Sequence, residues 1–330
     1  MLNAAIIGLG WWGKNIALRL KNSDRIKVTH VADLAPDRHM SFIREHGFTA
    51  ARTFEEVLKD PSVDLVILCT PNWDHASQIA AAANAGKHVF CEKPLVLSRK
   101  DAEASVSICR RNGVMLGIGH ERRFEGPMVE IERMVKEGAF GTVMHAEANF
   151  SHDKLANVPP TDWRRSAMES PAAGMTAMGV HLTDAFLNLF GPVEKVLAMT
   201  ASRVLPGDNG DVVSAMLRHR AGMTSYINAV LATPLYLRLT VFGTKAWAEC
   251  RNETHPDTPG PSTLTVGLAG GAIETTTFEW VDTVKLNLHH FADYIAGTSA
   301  YCFSDEQIIG NIAVLEAVVK SAQEGVEASI

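Results

Sequence analysis

The chain has 330 residues, 46% hydrophobic and 21% charged. A single core rarely grows past about 250–300 residues, so two domains are expected, and the hydrophobic share excludes wholesale disorder. Lys plus Arg is 31 against 37 for Asp plus Glu, a net charge of −6, which argues against a nucleic-acid or anionic-lipid partner. The five cysteines, Cys69, Cys91, Cys109, Cys250 and Cys302, stand singly with no CxxC pair. Reduced thiols in the cytoplasm and no metal centre are therefore expected. MLNAAIIGLG lacks the basic start of a signal peptide. No apolar run reaches the roughly 20 residues of a membrane helix.

In chain order, residues 4–7 form a short apolar run ending in glycines, as a buried parallel strand does. Helix is expected over 14–22, strand over 27–32, and helix over 36–46 with Gly47 as its stop. Residues 64–69 are the clearest buried strand. A helix over 74–85, a strand over 88–91, a helix over 98–111 and a strand over 114–118 follow. Strand–helix–strand at this spacing predicts an α/β fold, a doubly wound parallel sheet over residues 1–121. Residues 122–330 then read as an α+β domain with a large, mostly antiparallel open sheet. Its helices are expected over 127–137 and 175–190, with a polar loop around Pro159 and Pro160 between them. Strands are expected over 193–202, 212–219, 223–230, 236–242, 246–251 and 272–280, with 252–260 as a loop. Two helices close the chain, 284–296 and 304–324, the second opened by a Ser304/Gln307 capping box. The last helix is expected to return to the first domain.

Gly8-Leu9-Gly10-Trp11-Trp12-Gly13 fits GxGxxG, directly after a strand and at the start of a helix. Gly8 permits the tight turn, Gly10 lets backbone approach a pyrophosphate, and Gly13 lets helix and strand pack closely. The helix N-terminus offers free N–H groups to phosphates. Asp33 closes the second strand, where a carboxylate suits a ribose diol and repels a 2′-phosphate, so NAD is favoured over NADP. Arg38 nearby is the counter-indication. Trp11 and Trp12 either wall the cofactor or simply pack.

Thr70-Pro71-Asn72 with His75, and Glu92-Lys93-Pro94, both follow strand ends, where open α/β sheets bind ligands. A partly desolvated Lys93 near a cationic nicotinamide would titrate closer to working pH. His181 opens an apolar helix with Asp184 one turn on, a carboxylate able to orient the imidazole. Arg122-Arg123, Arg164 and Lys154 raise the question of an anionic substrate.

Together these residues resemble the glucose–fructose oxidoreductase / inositol dehydrogenase (Gfo/Idh/MocA) family. The likeness runs from the glycine loop at 8–13 through Thr70-Pro71-Asn72, His75 and Glu92-Lys93-Pro94. It continues in Arg123-Phe124, Pro127, Trp163-Arg164, Gly174, Gly179, His181 and Asp184, and in Glu316-Ala317 with Ser321-Ala322 before Gly325. The resemblance implies a Rossmann domain and a second domain whose sheet forms a homodimer or homotetramer. It also implies NAD(P)-linked oxidation or reduction of one carbon of a sugar, polyol or cyclic alcohol. The family's lysine falls on Lys93 and its histidine on His181. Arg123, Trp163 and Arg164 fall on positions that touch cofactor or substrate. The chain departs at Ala177, where many members carry an aspartate, and at Ala172-Ala173, where Gly-Gly is usual. The function expected is hydride transfer between NAD and a secondary alcohol. The alternatives are an NAD-recycling glycosidase or epimerase of the same family and a non-catalytic NAD sensor.

Overall fold

A computed structural model describes residues 1–330. They form two compact units, Met1–Glu121 with Val284–Ile309, and Arg122–Thr283 with Gly310–Ile330. No helix is long and apolar enough to cross a membrane.

The first unit runs β1 (Leu2–Ile7), α1 (Trp11–Arg19), β2 (Ile26–Ala32), α2 (Met40–His46), β3 (Thr49–Ala51), α3 (Phe54–Lys59), β4 (Leu65–Leu68), α4 (His75–Asn84), β5 (His88–Cys91), α5 (Arg99–Arg111) and β6 (Leu116–Ile118). Its six strands are all parallel in the order β3-β2-β1-β4-β5-β6, the order of a dinucleotide-binding sheet. Ala4–Ile7 and Leu65–Leu68 are buried along their whole length, as strands covered on both faces must be. Residues 36–39 form a separate 3-10 turn before α2. β3 and α3 were not anticipated. β3 is three residues long, too short for a periodic signal, and α3 is announced by Thr53, whose side chain accepts from the Glu56 N–H.

The second unit is expected to run to 330 with the last helix returning to the first, but it is 284–309 that lies in the first unit, and most of the last helix, from Gly310 on, lies in the second. The reason is α8 (Thr283–Ile295), which brings Val284, Leu288, Phe291 and Ala292 into the first unit's core at helical spacing. The Phe291 ring lies tilted, 5.7 Å from that of Phe90, and a Cβ on Gly117 would stand 2.8 Å from its ring. Burying one such phenyl ring is worth about 1.5–3 kcal/mol.

The second unit holds α6 (Gly126–Lys136), β7 (Val143–Ser151), α7 (Val180–Phe190), β8 (Val193–Ala201), β9 (Val212–His219), β10 (Thr224–Val230), β11 (Tyr236–Gly243), β12 (Ala246–Asn252), β13 (Ser262–Leu268), β14 (Ile273–Phe278), most of α9 (Asp305–Glu324), and β15 (Ala328–Ser329). Nine strands form one sheet in the order β14-β13-β12-β11-β7-β10-β9-β8-β15, antiparallel except where β7 and β10 run parallel. β7, β13 and β15 are additions to the expected set, and β7 lies inside the sheet. The Ser304/Gln307 capping box is present, each side chain bonding the other residue's backbone N–H at 3.2 Å.

Candidate active site

Within the first unit, adjacent strands end in register. Ile7 of β1 pairs with Leu68 of β4, Leu68 with Cys91 of β5, and Cys91 with Ile118 of β6. The glycine loop, Thr70-Pro71-Asn72, Glu92-Lys93 and Gly119-His120 therefore leave one edge of the sheet side by side, the edge at which open α/β sheets bind ligands. The loops interlock as well. A Cβ on Gly8, whose φ is +93°, would lie 2.8 Å from the Cys69 carbonyl, and one on Gly119 would lie 2.5 Å from the Glu92 carboxylate.

The glycines of the loop differ in what surrounds them. A Cβ on Gly13 would sit 2.0 Å from the Gly8 carbonyl oxygen, whereas one on Gly10 would meet nothing within 4 Å. Gly10 is the N-cap of α1 and no side chain caps it, so the first-turn amides face the open space above Gly10. Asp33 ties this loop to β2. Its Oδ2 accepts from the Leu9 N–H at 2.7 Å and its Oδ1 from the Ala35 N–H at 2.8 Å. An uncapped helix N-terminus, a cradle that a Cβ would fill, and a fixed carboxylate at the end of β2 together fit a dinucleotide. Trp11 is 62% exposed, while Trp12 packs on the core, so only the first tryptophan is set to wall a ligand. Arg38 is exposed in the turn after Asp33.

Around Lys93 the structure assigns supporting roles. His75 is buried, with Nδ1 at 3.0 Å and 3.1 Å from the Pro94 and Leu95 carbonyls and Nε2 at 3.0 Å from the Thr70 carbonyl. The sequence reading gave His75 to the cofactor. Both ring nitrogens instead face backbone carbonyls, only one of which sides a neutral imidazole can donate to, and the ring bridges the Thr70 loop and the Lys93-Pro94 loop. Burial lowers its pKa against those carbonyl contacts, as expected for an imidazole enclosed away from water. Thr70 donates its hydroxyl to Gln78 at 2.6 Å. Asn72 is buried in the turn before α4, and the Lys93–Pro94 bond is cis.

Glu92 is buried beside Lys93 and accepts from the Lys93 N–H at 3.3 Å. Burial pushes its carboxyl up to about 7, opposed by the Trp12 indole N–H and by Lys93. The indole N–H faces the carboxylate outside strict hydrogen-bond geometry. A carboxyl pKa raised on folding stabilises the fold most at low pH. That contribution declines as pH climbs from the ordinary 4.5 to about 7 and is gone above it. Glu92→Gln, which does not ionise, is expected to erase a decline on the order of 3 kcal/mol. Urea titrations below and above that window check this, and parallel pH profiles for the two proteins would count against it.

In the second unit, His181 is buried near the start of α7, which a π-helical turn over Met175–Gly179 precedes. Asp184 lies one turn on, but its carboxylate is taken by Arg123, with Nε at 2.8 Å from Oδ2 and Nη2 at 2.6 Å from Oδ1. The two side chains are 4% and 5% exposed, and Asn188 accepts from Arg123 at 3.1 Å. The carboxylate offered to His181 and the guanidinium offered to the cofactor thus serve each other. Removing one partner of a buried pair strands the other charge and costs about 3–5 kcal/mol. Asp184→Ala is expected to lose that much stability by chemical denaturation, whereas Arg123→Met with Asp184→Leu recovers most of it. A loss below about 1 kcal/mol would mean the pair is dispensable.

The other cations are likewise engaged. Arg122 reaches Glu125 at 2.9 Å, and Arg164 reaches Asp162 at 3.1 Å while lying 4.2 Å over the Trp163 ring. Lys154 holds Asp257 at 2.6 Å. Ala172, where the family usually has glycine, has φ +45°, in the region that favours glycine. No group of three or more His, Cys, Asp or Glu side chains is placed to hold a metal ion.

His255 and Asp257 escaped the sequence reading. His255 Nδ1 lies 2.6 Å from Asp257 Oδ1 in the loop between β12 and β13. Burial opposes ionisation of Asp257, and the bonds from His255 and Lys154 outweigh it, holding the carboxyl well below the usual range. The available signal was His-Pro-Asp within a loop that otherwise read as plain polar connection.

Two family models match the chain. They are an oxidoreductase family with an NAD-binding Rossmann fold, over residues 2–120, and a GFO/IDH/MocA C-terminal domain, over residues 128–249. The myo-inositol 2-dehydrogenase of Thermotoga maritima is 31% identical over 74% of this chain and 73% of its own. The 2,7-anhydro-N-acetylneuraminate hydratase of Escherichia coli is 28% identical over 60% of this chain, which spans about half (52%) of that relative. A crystal structure from Desulfitobacterium hafniense, described as a candidate NADPH-dependent oxidoreductase, superposes with a TM-score of 0.90 at 26% identity, covering 99% of this chain and 97% of the other.

Proposed function

This chain belongs to the Gfo/Idh/MocA family of NAD(P)-dependent oxidoreductases, and from that premise we propose that it moves a hydride between NAD and a secondary alcohol carbon of a sugar, polyol or cyclic diol. The observation that carries this reading is the in-register array of loops at one sheet edge, which sets Lys93 beside the loops that fit the dinucleotide. Bound NAD supplies the hydride acceptor in oxidation, and its reduced form the donor in reduction. The α1 amides and Gly8, Gly10 and Gly13 would hold its phosphates. Asp33, whose charge repels a 2′-phosphate, favours NAD over NADP.

Lys93 has the proposed task of stabilising the alkoxide that develops as the hydroxyl proton leaves. His181 has the proposed task of accepting that proton. His75 and Glu92 fix the Lys93 loop from two sides. One relative favours a second reading, since a hydratase by name carries out no net oxidation. In that mode the same residues would run a transient oxidation whose hydride returns to the substrate. On the outer sheet face Leu197, Met216 and Tyr226 stand side by side in register, and the first two are about half exposed. Such an apolar row supports a homodimer or homotetramer through this sheet.

The test is a panel of sugars, polyols and cyclic diols offered with NAD or NADP, followed by the absorbance of the reduced nicotinamide. Reduction of NAD, faster than of NADP, is expected with one group of related hydroxyl compounds. Product without net reduction favours the recycling mode. Tight NADH binding with silence across the panel would refute the oxidoreductase reading in favour of a sensor.

A further inference from the structure

Helix α7 is buried without a break from Val180 to Leu187. Polar groups enclosed in this way need partners, and Thr183 finds its partner on α9. Its Oγ1 donates to Asn311 Oδ1 at 2.7 Å, and Asn311 Nδ2 donates to the Val180 carbonyl at 2.9 Å. Thr183 and Asn311 are 0% and 2% exposed. The hydroxyl also lies 3.3 and 3.4 Å from the Gly179 and Val180 carbonyls, but it has one proton, and the shorter contact takes it. A carbonyl can only accept, so the amide nitrogen of Asn311 faces Val180 and the amide oxygen faces Thr183.

The place of this grip matters more than its strength. The Val180 carbonyl belongs to the peptide that joins Val180 to His181, and a peptide is a rigid plane. Holding its oxygen sets the plane from which His181 starts, and Thr183 anchors the helix two residues later. Upstream the chain offers little support. Met175–Gly179 is a π-helical turn, a form found mostly as single turns and frequently at functional sites. Gly179, the N-cap of α7, has no side chain with which to cap it.

We propose that Asn311 is a positioning residue for His181, holding the Val180–His181 peptide and the Thr183 hydroxyl so that the imidazole is presented to the reacting hydroxyl from one direction. The inference rests on the assignment of proton acceptance to His181. An aspartate of the same shape would set an oxygen against the Val180 carbonyl, and an apolar residue would release both bonds. The helix itself does not need the grip in order to form, because its apolar residues are buried along most of its length.

The test uses the full chain carrying carbon-13 at histidine Cε1, with the His181 signal identified by its loss in His181→Asn. Asn311→Ala and Asn311→Asp are each expected to displace or split that signal, while those of His30, His46 and His289 in the first unit stay in place. Asn311→Asp keeps an acceptor for Thr183, so its effect isolates the bond to the Val180 carbonyl. Thr183→Val leaves that bond standing and is expected to move the signal less. NAD reduction with myo-inositol and D-glucose is followed on the same proteins, well below their melting midpoints. In both Asn311 variants kcat is expected to fall by about tenfold to a hundredfold, the cost of misplacing a reacting group by about 1 Å, while KM for NAD changes less than about twofold. A merely structural role predicts a lower melting temperature with the His181 signal unmoved, and that result would overturn the proposal. So would equal shifts of the first unit's histidines, or a displaced His181 signal with undiminished kcat. Should Asn311→Ala fail to fold, Asn311→Asp and Thr183→Val decide. If the wild type turns over neither compound, the spectroscopic comparison decides alone. Undiminished turnover in His181→Asn removes the proton-acceptor reading itself, whereas an unmoved His181 signal removes only this inference.

Discussion

Lys93→Met is expected to lower turnover by about 10²–10⁴-fold while the affinity for NADH changes only a few-fold, because general acid–base and charge assistance at the reacting oxygen carries that range. The separation follows from how the residue is held. The elements that fit the dinucleotide are the α1 amides, Gly10 and Asp33, and none of them depends on the Lys93 side chain. The loop itself is fixed by His75 on the Pro94 and Leu95 carbonyls, so a methionine of similar length leaves the backbone in place. Fluorescence titration with NADH and steady-state rates measure the two quantities independently. A variant with unimpaired turnover removes Lys93 from the chemistry, and one that loses NADH binding with turnover makes it a cofactor ligand first.

A second contrast lies within the glycine loop. Gly13→Ala is expected to destabilise the first unit by at least about 4 kcal/mol, since a Cβ there would stand 2.0 Å from the Gly8 carbonyl oxygen, and backbone can yield only by moving α1 off β1. Gly10→Ala meets no atom of the chain within 4 Å, and its φ of −61° suits alanine. That variant is expected to keep its melting temperature while NADH affinity falls by about 10²-fold or more, because the methyl fills the space a pyrophosphate would enter. Circular dichroism melts with NADH titrations separate the two. Equal loss of stability in both variants would mean that the loop's glycines are structural alike.

The first unit was legible because buried parallel strands are continuous apolar runs, as at Ala4–Ile7 and Leu65–Leu68, and because glycine spacing marks a turn that few other residues permit. β7 was not legible. Its buried side is Ala146, Ala148 and Phe150, alternating with Glu147 and Asn149, and alanine with glutamate does not read as strand. β13, Ser262–Leu268, is short and follows directly on a proline-rich loop, so its alternation of threonine with Leu264 and Val266 was absorbed into the loop. Helix α8 was read as a helix, but an apolar stripe says that a helix packs, not against what, and its return to the first unit stayed invisible.

The site was read with the same asymmetry. Lys93 and the glycine loop follow strand ends, and chain order alone brings them to one sheet edge. Arg123 and Asp184 are 61 residues apart, so each was offered a ligand when each had the other. His75 was singled out for its place, and its ring lies among the backbone carbonyls of Thr70, Pro94 and Leu95. Asp257 and His255 escaped because a histidine–aspartate pair in a polar loop has no periodic signature, and only the fold of β7 puts Phe150 beside His255.

The most direct measurement is isotopic. A hydroxyl compound that raises Tm in the presence of NAD, deuterated at its carbinol carbons, is turned over by the wild type and the nicotinamide is analysed by mass spectrometry. Direct transfer predicts reduced cofactor carrying deuterium from the substrate, abolished in Lys93→Met. Product formed at an undiminished rate by protein freed of all nicotinamide cofactor would contradict hydride transfer as this protein's chemistry.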